Sequence, residues 1–292
     1  MKQLTILSGK GGTGKTTITA SLAVLAKKGV VADCDVDAPD LHMLLHPKII
    51  KTQEFKGPKL AVIDESECTK CGLCREKCRF DAITEDIKID PISCEGCGVC
   101  IIVCPVKAIT FAGRISGHAY ISKIKYGSMS HAMLSPGEAN SGKLVTLVRQ
   151  NARILAEKQY SDLIIIDGPP GIGCPVIASV TGIDAGLVVT EPTISGIHDL
   201  ERALQLLKHF GVPPLVCVNM YDINRGNTDN IVSFCKENGI KVVGKIPLNQ
   251  MVTEAMVNGN PIVEYAPESN VAKEIEKMWE KTLSALKQGG GG

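Results

Sequence analysis

Aromatic residues make up only 4% of this 292-residue chain, with a single Trp, so Ile, Val, Leu and Ala must fill its core. That is the composition of buried parallel strands. A surplus of either charge is also missing: 32 Lys and Arg stand against 31 Asp and Glu, a net +1. Nucleic-acid binding needs a strongly basic face or tail, so no nucleic-acid partner is expected. No apolar run approaches the ~20 residues of a membrane-spanning helix. Met1-Lys2-Gln3 leads straight into Leu4–Leu7 without an export signal, so a cytoplasmic protein is predicted. With 44% hydrophobic and 22% charged residues, the chain has enough apolar mass for a core and is not disordered.

Cysteine is the residue in excess, with 12. A reducing cytosol makes structural disulfides a poor explanation, and spacing supplies a better one. Eight cysteines lie between residues 68 and 104; Cys34, Cys174, Cys217 and Cys235 are scattered. Cys68, Cys71, Cys74 and Cys78 form C-x2-C-x2-C-x3-C, and Cys94, Cys97, Cys100 and Cys104 repeat it before Pro105. This is the bacterial ferredoxin run, in which three closely spaced thiolates wrap one cubane and the fourth ligates the other cluster. Cys68, Cys71, Cys74 and Cys104 are therefore assigned to one [4Fe-4S] cluster, and Cys94, Cys97, Cys100 and Cys78 to the second. Structural zinc sites use two separated C-x2-C pairs, four ligands in all, which this cadence fits poorly. Arg79 replaces the proline that normally follows such a run, and a cation beside Cys78 would raise that cluster's potential. Ile87 to Pro91 alternates as a small hairpin would.

The flanking sequence reads strand, loop, helix, strand. Leu4–Leu7 is a strand, Ser8 to Thr17 a glycine-rich loop, Ile18–Lys28 a helix ended by Gly29, and Val30–Asp35 a second strand. The loop satisfies both Gly9-x-Gly11-x-x-Gly14, a dinucleotide fingerprint, and Gly9-x4-Gly14-Lys15-Thr16, the P-loop. Lys15 and Thr16 decide between them, since a Lys for the β/γ-phosphates and a hydroxyl for Mg2+ serve a nucleoside triphosphate. Leu163–Ile166 is an apolar strand ending in Asp167, placed to hold Mg2+ through water. The Gly168-Pro169-Pro170-Gly171 loop that follows can respond to a γ-phosphate. Further strands are predicted at 186–190, 215–219 and 241–246, and helices at 195–209, 229–238 and 271–286. The expected fold is α/β: a mostly parallel P-loop NTPase sheet with an inserted α+β bacterial-type ferredoxin domain. The boundaries read as 1–63 and 111–287 for the ATPase, 64–110 for the ferredoxin, and 288–292 for a flexible glycine tail.

Lys10-Gly11-Gly12-Thr13-Gly14-Lys15-Thr16 resembles the deviant Walker A motif of the MinD/ParA and nitrogenase-iron-protein ATPases. The ferredoxin insertion makes the chain, from residue 1 to about 287, similar to MinD-superfamily ATPases that contain such a domain. The resemblance implies that Gly11, Gly12, Thr13, Gly14, Lys15, Thr16 and Thr17 bind ATP. It implies that Lys10 reaches the phosphates of the facing subunit, so that ATP closes a homodimer or a paralogue heterodimer. Asp33 lies nearer the Mg2+, Asp35 positions the attacking water, Asp167 is the switch II acid, and Asn219 recognises adenine. Ser141–Val145 and Gly171–Pro175 also resemble this group. Mrp-type iron–sulfur carriers bridge two subunits through a C-x-x-C in their C-terminal half, which this chain lacks.

Three functions compete. One is an ATPase delivering iron–sulfur clusters or metal to an apo-metalloprotein; another is an ATP-gated electron donor to a redox partner. The third, a MinD-like spatial-positioning ATPase, is disfavoured because Glu274, Glu276 and Glu280 interrupt the basic face of the C-terminal helix. Among smaller features, Cys174 is expected as a small buried residue at a helix start. Cys34 and Cys217 are read as packing residues, and the Met129–Met133 region as packing. His118 and His131 are read as surface or hydrogen-bonded structure rather than ligands, and Ser141 as an N-cap.

Overall fold

The computed structural model describes residues 1–57, 59–138 and 142–288. The first segment runs β1 (Lys2–Leu7), α1 (Lys15–Ala26), β2 (Val30–Asp33), α2 (Leu41–Leu45), β3 (Lys48–Lys56) and β4 (Leu60–Ile63). The cysteine-rich stretch holds α3 (Leu73–Glu76) and α4 (Val99–Val103), followed by β5 (Ile109–Ala112), β6 (Ile115–Ile124) and β7 (Gly127–Leu134). Next come α5 (Lys143–Gln159), β8 (Leu163–Asp167), α6 (Cys174–Val180), β9 (Ala185–Thr190), α7 (Ile194–His209) and β10 (Pro214–Asn219). The chain closes with α8 (Arg225–Glu237), β11 (Lys241–Ile246), α9 (Gln250–Val257), α10 (Ile262–Tyr265) and α11 (Asn270–Gln288).

Nine strands form one sheet in the order β11-β10-β9-β1-β8-β2-β7-β6-β3. The pairs from β11 across to β7 are parallel. Helices cover both faces, which is why the central strands are near-continuous apolar runs rather than alternating ones. Leu4, Ile6, Ile164, Ile165, Ile166, Leu187, Val188 and Val189 are all buried. α11 lays Val271, Ile275, Met278 and Trp279 on this core beside Val243 and Ile246. The chain's one Trp is thus a core residue, as the scarcity of aromatics requires.

The parallel register sets the site. Ile6 and Asp33 both pair with Asp167, so the ends of β1, β2 and β8 meet at the carboxyl edge, where ligands of open parallel sheets bind. β2 stops at Asp33, two residues short of its predicted end, and Asp35 lies in the loop beyond. α1 ends at Ala26 with Lys27 in the left-handed conformation, before the Gly29 expected to stop it. The strands β3, β6 and β7 were absent from the sequence reading. Ser141, read as an N-cap, and Gly289–Gly292 lie outside the described residues.

The chain divides into two compact units: residues 1–52, 119–132 and 140–292, and residues 53–118 with 133–139. In the second, β4 and β5 pair antiparallel, Leu60 with Ala112 through Ile63 with Ile109. Its backbone repeats with a period of 26 residues: Cys68 and Cys94, Cys71 and Cys97, Cys74 and Cys100, Cys78 and Cys104. Left-handed φ values recur at the same interval, at Lys70 and Gly96, Gly72 and Gly98, and Asp81 and Lys107. Ala82 and Ile83 repeat as Ala108 and Ile109, all buried. The hairpin expected from residue 87 closes through a bridge between Ile83 and Ile89.

Gly186 on β9 faces α7 so closely that an added Cβ would lie 2.7 Å from both Leu207 Cδ atoms. Gly186→Ala is expected to lose about 1–3 kcal/mol by overpacking, and Leu207→Ala about 2–5 kcal/mol by leaving a cavity. Urea unfolding of the double variant should give less than the sum, because the new methyl occupies part of that cavity. Strict additivity would contradict the contact.

Candidate functional site

The P-loop is built from backbone conformations that need glycine. Gly12 and Gly14 have φ of 82° and 87°, which L side chains rarely adopt. At Gly14 a Cβ would also lie 2.4 Å from Asn219 Nδ2. That amide donates 2.8 Å to the Thr13 carbonyl, tying the end of β10 to the loop. The loop runs directly into α1, whose first-turn amides lack intrahelical partners and form an anion site. Gly11 to Ile18, Asp35, Pro169 and Asn219 line a cavity of about 630 Å³. Its far side is apolar, with Pro247, Val252, Met256 and Ile275 among the lining residues. Such a cavity suits a ligand with an anionic end and an apolar ring.

Behind the loop, charge is concentrated and buried. Lys15 Nζ lies 2.9 Å from Asp167 Oδ1 and 3.6 Å from Asp35 Oδ2. Thr16 donates 2.9 Å to Asp167 Oδ2, and the Asp35 amide donates 3.1 Å to Asp33 Oδ1. Asp33 and Asp167 are each 1% exposed. Burial alone would lower the Lys15 pKa, but Asp167, Asp35 and Asp33 outweigh it and the net shift is upward. Burial, reinforced by Asp167, pushes Asp33 well above the carboxylate range against the pull of Lys15. Asp35 is raised to about 6, first by burial, with Lys15 opposing and Asp167 and Asp37 adding to the rise.

These residues fit MgATP. Three carboxylates face one ammonium, and if all ionise the two unmatched negative charges equal those of one divalent cation. Asp33 Oδ2 is buried with no hydrogen-bond partner, an acceptor that a metal-bound water would satisfy. Among the described residues, no three His, Cys, Asp or Glu side chains already surround a single point. Mg2+ habitually completes its shell with phosphate oxygens and water rather than an all-protein cage.

Lys10 does not point into the cavity. Its ammonium lies 2.7 Å from Glu191 Oε1 and donates 2.9 Å to Ser195 Oγ, both beyond β9 in the same chain. Thr17 lines the cavity with its hydroxyl 3.4 Å from Met256 Sδ. Thr19, Glu191 and Ser195 escaped the sequence reading. Glu191 follows a parallel strand at its carboxyl end, and Thr19 lies one helical turn after Lys15; both signals were present.

In the cysteine-rich unit, a small cavity is lined by Cys78, Cys94, Cys97 and Cys100, with Ala82, Ile83 and Gly98 around them. The fourth cysteine of the first run thus meets the first three of the second. Cys68, Cys74 and Cys104 pack on one apolar cluster with Ala61, Ile83 and Ile109. The Cys74 thiol is raised by burial and by Cys68 and Cys71, while the Arg75 and Cys74 amides oppose the rise. The Cys100 thiol is raised by burial and by Cys94 and Cys97, against the Ile101 and Cys100 amides. The Lys70 amide lies 3.4 Å from Cys68 Sγ. Thiols that line one cavity, with amides directed at sulfur, form a donor set suited to an anionic iron–sulfur cluster. The spread of these thiols suits a cubane, in which each thiolate goes to a different iron, better than a single ion.

The remaining cysteines divide. Cys34, Cys217 and Cys235 are buried. Cys174 starts α6 as expected but is exposed, because the Gly171–Gly173 loop delivers it at the surface rather than under a neighbour. Met129 is buried, whereas Met133 is 50% exposed, so only the first is a packing residue. His131 is buried and hydrogen-bonded to Ser122 at 2.9 Å.

Residues 4–262 match the CobQ/CobB/MinD/ParA nucleotide binding domain family. An uncharacterized protein of Methanocaldococcus jannaschii is 36% identical over 282 residues, covering 96% of this chain and 95% of its own length. An iron-sulfur cluster carrier protein of Pyrococcus abyssi is 26% identical over 310 residues, covering 98% of this chain and 87% of its own. The septum site-determining protein MinD of Pyrococcus horikoshii, solved with Mg-ADP, superposes with a TM-score of 0.60 at 20% identity, covering 98% of each chain. No helix of the described residues is long and apolar enough to cross a membrane. With the P-loop formed and its acids gathered behind Lys15, the chain belongs to the CobQ/CobB/MinD/ParA nucleotide-binding family, as a P-loop ATPase of the MinD/ParA type.

Proposed function

We propose that this ATPase couples MgATP binding and hydrolysis to two [4Fe-4S] clusters, and that it works in iron–sulfur or metal-cofactor assembly, delivering to an apo-metalloprotein. The observation that carries the cluster reading is the cavity where Cys78 joins Cys94, Cys97 and Cys100. Cys68, Cys71, Cys74 and Cys104 take the other cluster. The delivery role draws support from the relatives named iron-sulfur cluster carrier protein. Once bound, the clusters would supply one-electron chemistry; the chain's part is to ligate them and to exclude water from their inner faces.

At the nucleotide, Gly11 to Thr17 cradle the phosphates, with Lys15 toward the β/γ oxygens and Thr16 toward Mg2+. Asp33 and Asp167 hold the metal's waters, Asp35 orients the attacking water, and Asn219 borders the adenine. Catalysis is then positioning and charge stabilisation. Lys10 would leave Glu191 and Ser195 to reach the phosphates across a homodimer or paralogue heterodimer.

The electron-donor alternative has its own support. Cysteines that cross between runs tie both clusters into one module, which resists release, and no C-x-x-C follows in the C-terminal half. Spatial positioning finds little: the apolar face of α11 is buried in the core and unavailable to a lipid surface. We take the inserted ferredoxin domain as residues 64–110, within the second compact unit of residues 53–118 and 133–139.

Anaerobic EPR during addition of MgATP and an apo-ferredoxin separates delivery from electron transfer. Cluster signals migrating to the acceptor support delivery; signals that stay and only reoxidise on meeting an oxidised acceptor overturn it. Lys15→Ala should lower ATP hydrolysis by ~10²–10³-fold or more, and unchanged phosphate release would contradict the P-loop assignment. Lys10→Ala should abolish the ATP-dependent mass doubling seen by light scattering while nucleotide still binds. In Cys78→Ala the cluster of the second run should be lost or altered; an unchanged two-cluster spectrum would refute the crossed ligation.

A further inference from the structure

Thr19 belongs to no recognised motif, yet it is fully buried and reaches the metal-side acid. It stands four residues after Lys15 in α1, on the same helix face. Its hydroxyl lies 2.8 Å from Asp167 Oδ1 and 3.0 Å from the Lys15 carbonyl. A hydroxyl has one proton, so only one of these acceptors receives it at a time.

The ordinary explanation for a buried helical Thr is its bond to the carbonyl four residues back. Ser21, Thr146, Thr181 and Thr282 each make that bond, and none of these four hydroxyls is bonded to a carboxylate as well. Back-bonding therefore accounts for the 3.0 Å contact of Thr19 and leaves the 2.8 Å one unexplained.

The other donors on Asp167 explain its use. Oδ1 also accepts from Lys15 Nζ at 2.9 Å, and Oδ2 from Thr16 Oγ1 at 2.9 Å. Lys15 and Thr16 are the two side chains that the phosphates and Mg2+ draw away. With Lys15 drawn away and the metal's water serving Oδ2, the buried Oδ1 would have no donor but Thr19, and leaving it without one is strongly unfavourable. We infer that Thr19 is a positioning residue: when MgATP engages Lys15 and Thr16, its proton goes to Asp167 Oδ1 and fixes the carboxylate's orientation, with Oδ2 turned toward the metal's water. This goes beyond the cluster function and does not depend on it.

The test is Mg2+ titration of a fluorescent ATP analogue's binding to the full chain, paired with steady-state hydrolysis. Thr19→Val, which keeps shape and removes the hydroxyl, should raise the Mg2+ concentration for half-maximal binding roughly tenfold, as expected for one lost bond to a charged group. Its kcat should fall while analogue affinity in EDTA changes less than about twofold, within the scatter of a surface substitution. Thr19→Ser should restore both quantities, and Thr282→Val, a buried back-bonding control, should move neither. Thr19→Ala serves if the Val variant does not accumulate. Wild-type Mg2+ dependence in Thr19→Val or Thr19→Ala overturns the inference. So does a Ser variant as impaired as Val, or an equal loss of affinity in EDTA, since each assigns Thr19 to packing.

Discussion

Three carboxylates share one buried lysine, and the site's other features follow from that imbalance. Asp33 and Asp167 are side by side because β2 and β8 pair in parallel register, and both are shut away from water. Burial, with Asp167 adding to it, raises the neighbouring acids: Asp33 is driven well up and Asp35 to about 6, against the pull of Lys15. Lys15 holds what charge remains, drawn to Asp167 and Asp35 although burial opposes its ionisation. A metal–phosphate complex would release that lysine and ionise the acids together. Binding and rearrangement are therefore one event, linked by charge.

Local chemistry was readable from the chain, and so was anything carried by register between central strands. The P-loop is a contiguous string whose glycines have backbone reasons to be there, whereas the close approach of Asn219 to Gly14 joins distant segments and appears only in the fold. Asp167 was legible because it ends an apolar run. By contrast, β3 has the sequence Lys48-Ile49-Ile50-Lys51-Thr52-Gln53-Glu54-Phe55-Lys56, is almost wholly exposed, and lacks the period of two that marks a half-buried strand. In β6 and β7, Ser, Gly and His are buried among apolar residues, which blurs the hydropathy signal. Thr19 and Glu191 carry local signals of position, but the groups they meet lie 148 and 181 positions away respectively, and no spacing rule names those partners.

The cysteine-rich unit illustrates how repetition makes ligation specific. A 26-residue offset carries cysteines, left-handed φ positions and the Ala-Ile pairs of its core together. Two copies of one loop, each followed by a short helix, place each fourth cysteine past the end of its own loop. It is then within reach of the other copy, as Cys78 is of Cys94, Cys97 and Cys100. That placement of Cys78 follows from the length of the loop, without a special residue to enforce it.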